Sequence, residues 1–222
     1  MMTTWLRANR GFVLFLIGFG FFRTALADWN PVPSGSMRPT ILEGDVVWVS
    51  RVAYDLRLPF STTALWQRGD PQRGDVVTFS SPRDGSRLIK RVVGLPGDEV
   101  ALRGQVLFIN GQAQALEAQH SVAEPVAPGL LLAARRGQEQ LGSRPHAVQY
   151  LRDPAQAPDF GPLRVPPGEY FVMGDSRDNS VDSRVFGTVP RQRLIGQATR
   201  VLVSLDLPGH WLPRWERFGQ PL

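Results

Sequence analysis

Short β-branched runs bounded by turn residues dominate the chain after Pro31. Examples are Asp45–Val49, Asp75–Phe79 and Leu88–Val93, and Gly-Asp pairs border several of these runs. Such runs favour strands and such pairs favour turns, whereas no soluble stretch keeps a helical period for long. The sequence therefore predicts an all-β body.

One segment breaks this pattern. Asn110-Gly111 first predicts a two-residue hairpin turn between Leu-Phe-Ile and Gln-Ala-Gln. From Gln112 to Pro162 the composition then shifts to Ala, Gln, Pro, Gly and Arg, with few strand-forming runs. Few apolar residues are available there to offset the entropy of ordering. We expect an insertion or a poorly ordered lobe, with His120 and His146 on its surface.

The N-terminus has the features of a membrane or export segment. Arg7 and Arg10 precede the uncharged run 11–22, which as a helix spans about 18 Å of a hydrocarbon core of about 30 Å. Ala25-Leu26-Ala27 then completes the pattern of a cleavable signal peptide. The alternative is an uncleaved anchor over residues 5–27, about 34 Å long as a helix. In both interpretations the arginines keep the N-terminus in the cytoplasm and the rest of the chain lies outside.

Three residue counts narrow the chemistry. The chain has no Cys, three His and one Lys against 24 Arg. Without Cys there is no disulfide, thiolate nucleophile or Cys-ligated zinc, and His120, His146 and His210 lack the HExxH spacing of a zinc protease. GxSxG, Walker and GxGxxG motifs are absent as well. The net charge of +5 and the pI near 10.6 suit nucleic acid or an anionic membrane.

Ser36 and Lys90 are the candidate reactive residues. The segment 31–41 holds three Pro, two Ser and a Gly, so it is either a rigid linker or a loop that presents Ser36 as a nucleophile. No histidine is placed to act as its base, which leaves Lys90. On a strand face with Leu88 and Val92, a lysine loses hydration and its pKa falls, whereas arginine stays protonated. A snorkelling surface lysine is the alternative.

A dense polar segment, 174–184, follows the strand-forming run 169–173. It holds three Asp, three Ser, two Arg and one Asn. Such a segment is either a solvated surface loop or a frame that holds an amine and a nucleophile in register by hydrogen bonds. Composition alone leaves both interpretations open.

Taken together and in this order, these segments resemble the bacterial type I signal peptidases, also called leader peptidases. These are membrane-bound Ser/Lys endopeptidases that remove signal peptides. SGSM alone is a weak match, but the combination is highly specific and includes both Ser36 and Lys90. The matching stretches are PSGSMRPTI (33–41), GDVVTF (74–79), RLIKRVVGLPGDEV (87–100) and PPGEYFVMGDSRDNSVDSR (166–184).

The resemblance implies a role for each matching residue. Ser36 is implied as the nucleophile and Lys90 as the general base and later acid. The Ser34 hydroxyl and the Ser36 N–H form the implied oxyanion hole, and Ser180 orients the lysine amine. The implied supporting ion pairs are Asp182 with Arg184 and Arg91 with Asp175. Shallow apolar pockets for the small side chains of Ala-x-Ala substrates are implied at Val32, Met37, Ile41, Leu88 and Ile89.

The resemblance also implies an architecture. We expect a mainly β catalytic fold of antiparallel sheets with a small inserted lobe, preceded by one transmembrane helix. The best-known members have two membrane spans, whereas this chain has at most one, and Ser176 stands where Asn is commoner. The expected divisions are a cytoplasmic N-terminus and anchor (1–28), a first catalytic part (29–111), the inserted lobe (112–163), a second catalytic part (164–205) and a C-terminal tail (206–222).

The implied activity is an endopeptidase in the bacterial inner membrane, with its catalytic domain on the outer face. Its partners would be signal peptides of exported preproteins and the lipid bilayer. No metal, cofactor, nucleic acid or obligate protein partner is implied. Two alternatives stay open: a Ser/Lys processing peptidase with one dedicated substrate, and a secreted, non-enzymatic β-protein whose signal is cut after Ala27.

Overall fold

A short helical segment leads into a body of strands in the computed structural model of the chain. The helical elements are α1 (Arg10–Phe21), a π-helical turn (Phe22–Leu26), α2 (Ser183–Phe186) and the 3₁₀ turns Gly35–Met37, Arg191–Arg193 and Trp215–Arg217. The structure describes residues 5, 9–58, 61, 63–127, 129–142, 144–151, 157–207 and 211–222. His210 therefore lies outside the described residues.

Strands make up most of the described chain, so the prediction of a mainly β, antiparallel body is confirmed. They are β1 (Ala27–Pro31), β2 (Asp45–Ser50), β3 (Asp55–Arg57), β4 (Ala64–Gln67), β5 (Val76–Ser80), β6 (Arg87–Gly94), β7 (Glu99–Arg103), β8 (Val106–Ile109), β9 (Gln112–Ala113), β10 (Leu116–Ala127), β11 (Leu130–Leu141), β12 (Arg144–Tyr150), β13 (Phe160–Arg164), β14 (Glu169–Met173), β15 (Val189–Pro190) and β16 (Leu194–Ser204).

The largest sheet runs through the centre of the described body. Its strand order is β1-β2-β16-β5-β6-β14-β15, and its neighbours are antiparallel. Alternating side chains from these strands fill two apolar clusters, one around Val47 and Val49 and the other around Val77 and Phe79. The sheet therefore supplies a rigid base for any residue at the centre of β6.

Three of the Gly-Asp pairs at the ends of strands form one repeated turn. Gly44, Gly74 and Gly97 have φ angles of +87°, +91° and +89°, in the left-handed region that favours glycine. The aspartate after each glycine accepts a main-chain N–H from three residues earlier, at 2.9, 2.9 and 2.6 Å. Glycine supplies the backbone angle and aspartate satisfies the turn, which explains why the two residues recur together.

A smaller sheet of order β13-β7-β8-β9 packs on a third apolar cluster around Leu107 and Phe171. Within it, Asn110 and Gly111 connect β8 to β9 with φ angles of 52° and 76°. Positive φ at both central residues is the geometry of a type I′ turn. The predicted two-residue hairpin is confirmed.

The structure corrects the expectation for the segment 112–163. It forms long strands, since β10, β11 and β12 pair as an antiparallel sheet. Because the segment has few apolar residues, main-chain hydrogen bonds and buried ion pairs stabilise it instead. Glu124 lies between Arg38 and Arg136, and Glu139 is buried against Arg177. The boundaries at 112 and 163 stay a prediction.

The two histidines of this segment differ in their surroundings. His120 is exposed, as expected. His146 is buried, so its predicted surface position is wrong. It pairs with Glu139 across β11 and β12 and lies 3.4 Å from that carboxylate, on the side of the sheet that faces the body.

The expected membrane-spanning helix over residues 5–27 does not appear as a single described helix. The 12-residue helix α1 passes into the π-helical turn, and the chain becomes strand β1 at Ala27. Among the described residues, no helix combines the length and the apolar character needed to cross a bilayer.

Candidate active site

Ser36 and Lys90, 54 residues apart in sequence, are brought together by the fold. Ser36 lies in the 3₁₀ turn between β1 and β2, and Lys90 lies in β6, opposite Val77 of β5. The Lys90 Nζ is 2.6 Å from the Ser36 Oγ. Lys90 is 3% exposed and Ser36 is 9% exposed, so the contact is shielded from solvent. A neutral amine in this position can accept the serine proton.

The electrostatic surroundings of Lys90 favour that neutral form. Burial lowers the pKa of Lys90 to about 8, although the nearby carboxylates of Asp182 and Asp175 raise it in part. The Arg184 charge acts in the same direction as burial. An amine with this pKa is partly neutral near physiological pH, as a general base requires.

The polar segment 174–184 is joined to the 3₁₀ turn that carries Ser36 by a main-chain hydrogen bond. Ser176 N–H donates to the Ser36 carbonyl oxygen at 3.1 Å. The Ser176 side chain points elsewhere, since its Oγ accepts from Gln149 Nε2 at 3.2 Å. Because the contact with Ser36 uses only the backbone, serine can replace asparagine at this position without losing it.

Gly174 is a site residue that the sequence reasoning did not single out. Its N–H donates to Asp182 Oδ2 at 3.0 Å, and its α-carbon packs directly against Ser180 and the Ser36 carbonyl. A Cβ at this position would lie 2.6 Å from the Ser180 Cβ and closer still to the Ser36 carbonyl oxygen. Its position at the start of the polar segment could have identified Gly174 from the sequence. A glycine in a Gly-Asp pair, however, is more typical of a turn.

Two ion pairs flank the buried contact at the positions named from the sequence. Arg91 Nε and Nη2 donate to the two Asp175 oxygens at 2.8 and 2.7 Å. Arg184 donates to Asp182 in the same two-pronged way, at 2.8 and 2.7 Å. Burial alone would raise the pKa of Asp175, but the Arg91 charge and the hydrogen bonds from Arg91 and Thr40 act together to lower that pKa.

Thr40 joins this network and was not predicted to do so. Its Oγ1 donates to Asp175 Oδ2 at 2.6 Å. Thr40 follows Ser36 by four residues. The bond therefore connects the segment 31–41, which carries Ser36, to Asp175 at the start of the polar segment. The fixed position of Ser36 relative to β6 follows from these contacts together.

Ser180, which is expected to orient the Lys90 amine, makes no hydrogen bond to that amine. Its Oγ is buried and makes no hydrogen bond to any residue that the structure describes. The implied bond to the Lys90 amine is therefore not formed in this structure. The Ser180 side chain packs against the α-carbon of Gly174.

A cavity of about 310 Å³ opens over the serine–lysine contact. Among its lining residues are the candidate oxyanion residue Ser34, which is exposed, and the candidate pocket residues Val32, Leu88 and Ile89. Met37 and Ile41 are fully buried in the core behind it and do not line it. Both side chains pack in the apolar cluster around Val47 and Val49, which supports the 3₁₀ turn that carries Ser36.

The β body and the buried amine–hydroxyl pair are the features expected of one class of protein, the hydrolases that pair serine with lysine in place of histidine. The family described as signal peptidase, peptidase S26, matches residues 3–203. The chain belongs to this family and is a serine endopeptidase.

Individual relatives agree with the family match. A signal peptidase I from Pseudomonas fluorescens is 40% identical over 214 residues, which cover 89% of this chain and 72% of the relative. One from Pseudomonas aeruginosa is 38% identical, with the same two shares. A probable signal peptidase I-2 from Synechocystis sp. is 31% identical over 88% of this chain and 72% of its own length. The resemblance is confirmed, and the alternative of a non-enzymatic secreted protein is wrong.

The pH dependence of cleavage follows from the pKa of about 8 for Lys90. We expect kcat/KM for preprotein cleavage to rise about tenfold per pH unit below that value and to level off above it, because only the neutral amine accepts the serine proton. A pH–rate profile of the purified chain measures this. A flat profile through pH 8 would contradict a lysine base.

The same shift has a consequence for stability. Between pH 8 and 10.5 the unfolded chain keeps a lysine proton that the folded chain has lost. The free energy of unfolding should therefore rise with pH across this window, and denaturant titrations at several pH values measure it.

Gly174→Ala should lower kcat by about 100-fold, since a shift of about 1 Å in a catalytic group costs that much. The added methyl must displace either Ser180 or the Ser36 carbonyl. Single-turnover cleavage measures the effect. Gly69→Ala is the matched control, because the nearest atom to its Cβ would be 3.8 Å away. Equal activity of the two variants would show that the close approach at Gly174 is unimportant.

Proposed function

We propose that Ser36 and Lys90 carry out the peptide cleavage of this type I signal peptidase, with Ser36 as nucleophile and Lys90 as general base. The observation that carries the proposal is the 2.6 Å contact between a buried lysine amine and a serine hydroxyl. Arginine cannot replace this lysine, since its guanidinium does not release a proton in proteins.

The reaction proceeds in two balanced halves. Neutral Lys90 takes the Ser36 hydroxyl proton as Oγ bonds to the scissile carbonyl carbon, and the ammonium then protonates the departing amine. This leaves an ester between Ser36 and the signal peptide. Lys90 next takes a proton from water, which attacks the ester carbon, and returns it to Ser36 as the ester bond breaks.

Donors near the serine suit the charge that develops on the carbonyl oxygen. The first N–H groups of a helical turn have no partner within the turn, which leaves the Ser36 N–H free to donate. Ser34, in extended conformation just before the turn, adds a hydroxyl at the same cavity. These two groups form the proposed oxyanion hole.

The position of β6 supports binding of an extended substrate. β5 pairs with β6 from Arg87 to Arg91, whereas on its other edge β14 pairs only from Arg91 onward. Residues 88–90 therefore offer main-chain groups on an edge without a neighbouring described strand. An extended peptide can add there as a strand, with alternate side chains directed into the cavity beside Leu88 and Ile89.

We further propose that the chain is held in the bacterial inner membrane by its N-terminal segment, with the catalytic body on the outer face. Support comes from α1, whose apolar side chains such as Phe12, Leu14 and Phe15 are about half or more exposed. The end of this segment packs into the body: Ala25 and Ala27 are buried, and Ala27 pairs with Ser50. Such packing favours an uncleaved anchor over a signal peptide that is removed.

Cleavage of a preprotein with Ala at the −1 and −3 positions tests the proposed function. The purified full chain should release one product at the bond after −1, identified by intact mass. A matched preprotein with Leu at −1 should react about 100-fold more slowly, since a shallow pocket discriminates strongly against added bulk. Equal rates for the two substrates would refute the proposed specificity, and random fragments would refute the proposed site.

A further inference from the structure

A second cavity, of about 430 Å³, shares Arg87 with the cavity over the serine–lysine contact but is lined by neither Ser36 nor Lys90. Four arginines line it: Arg51, Arg57, Arg87 and Arg193. We call it the basic cavity. Arg57 is buried in its wall, with a side chain only 7% exposed, while Arg87 and Arg193 are exposed at its rim. Converging guanidinium groups of this kind suit an anion with several oxygen acceptors.

The carboxylates near the basic cavity do not balance its positive charge. Asp28 is shared by Arg23, Arg51 and Arg87. Asp55 is shared by Arg57 and Arg191, and Arg191 also pairs with Asp70. Arg193 has no carboxylate partner in the described part of the chain, and its Nη1 donates only to the Ser81 carbonyl. The region therefore holds a surplus of cations.

Two of these cations are also incompletely hydrogen-bonded. The Nε groups of Arg51 and Arg57 are buried and have no acceptor among the residues with described positions. Burial lowers the pKa of Arg51, Asp28 raises it in part, and the charges of Arg87 and Arg57 lower it further. Mutual repulsion of this kind is relieved when an anion enters.

The location of the basic cavity indicates which anion is available. Arg51 N–H donates to the carbonyl of Leu26, the last residue of the π-helical turn that follows α1. Strand β3, which carries Arg57, also lies against this turn. On the same β3–β4 hairpin, Leu58, Leu65 and Trp66 are 47%, 60% and 71% exposed. Two cationic groups of the basic cavity, Arg51 and Arg57, and the exposed apolar groups of the β3–β4 hairpin thus lie on segments that contact the base of the N-terminal helix.

We propose that the basic cavity binds the phosphodiester of an anionic phospholipid headgroup, while the exposed side chains of the β3–β4 hairpin contact the adjoining acyl region. Arginines near a membrane surface attract anionic headgroups, and aromatic side chains such as Trp66 favour the lipid interface. Bound lipid fixes the distance of the catalytic body from the bilayer. The proposal rests on the membrane attachment inferred above.

Calorimetric titration of the full chain in a neutral detergent tests the site. The probes are short-chain phosphatidylglycerol, short-chain phosphatidylcholine and inorganic phosphate. Phosphatidylglycerol should bind saturably and more tightly than the other two. Arg51→Gln and Arg193→Gln should each weaken this binding about fivefold, and together about 25-fold. Arg164→Gln is the matched control, since this exposed arginine lies on β13 and does not line the basic cavity.

The arms of this experiment separate the possible anions. Equal binding of inorganic phosphate would overturn the lipid assignment, and equal binding of phosphatidylcholine would show apolar insertion alone. If Arg164→Gln lost as much affinity for phosphatidylglycerol, the binding would depend on net charge and not on the basic cavity. Arg193→Gln alone keeps the test valid if the double variant fails to fold. Since the variants should still cleave a preprotein in detergent, failure of the site is distinguishable from failure of the proposed catalytic function.

Discussion

Ser36→Ala and Lys90→Arg should each lower kcat for preprotein cleavage by about 10⁴ to 10⁶-fold, the loss typical of removing a nucleophile or its base. Ser36→Ala removes the attacking oxygen. Lys90→Arg keeps the positive charge but not the ability to become neutral, because arginine stays protonated. Comparing wild type with Lys90→Arg therefore distinguishes a lysine that transfers a proton from one that only supplies a positive charge.

Single-turnover cleavage by purified variants measures these losses. Ser121→Ala is the matched serine control, since Ser121 is exposed on β10 of the inserted sheet. Thermal unfolding verifies that each variant is folded. Substantial activity in Lys90→Arg would refute the lysine-base mechanism, and activity in Ser36→Ala would place the nucleophile elsewhere.

Arg177→Met should lower the free energy of unfolding by about 3 to 5 kcal/mol, because it removes the arginine partner of a buried carboxylate. Arg177 and Glu139 are 1% and 2% exposed, and Arg177 Nη1 donates to Glu139 Oε1 at 2.6 Å. Burial would raise the pKa of Glu139, but Arg177 and His146 lower it to about 2. The pair therefore stabilises the fold above pH 4.5, and this contribution is lost as the pH falls toward 2.

Urea denaturation at neutral pH measures the effect of Arg177→Met. Arg164→Met is the control for loss of an exposed arginine. The double variant Arg177→Met/Glu139→Leu should recover most of the lost stability, because neither charge then stays buried alone. A loss below about 1 kcal/mol in the single variant, typical of a surface pair, would contradict this assignment.

This ion pair explains why the segment 112–163 was misjudged. Glu139 lies on β11, and Arg177 lies in the polar segment beside the active site. This ion pair connects the inserted sheet to the active site. Hydropathy patterns in the sequence do not predict contacts between charged residues that are far apart in the chain. His146 became buried for the same reason, since it faces Glu139 across the strand pair.

The reactive residues could be proposed from the sequence because their types are scarce. With no Cys and no well-placed His, a single lysine in an apolar strand stood out as the only base for Ser36. The partners Arg91 and Asp175 came from family resemblance. Thr40 and Gly174 were missed because their contribution is a close approach between distant segments, which residue type does not reveal.

The β character, the Gly-Asp and Asn-Gly turns, and the choice of Ser36 and Lys90 as candidate reactive residues follow from the amino-acid sequence alone. Each of these depends on local backbone preference or on which side chains are present at all. Tertiary structure decided the rest: the 2.6 Å contact across 54 residues, the low pKa of Lys90, the ordering of the inserted sheet and the gathering of arginines in the basic cavity. These properties depend on burial and on distances between remote segments, which only the folded chain defines.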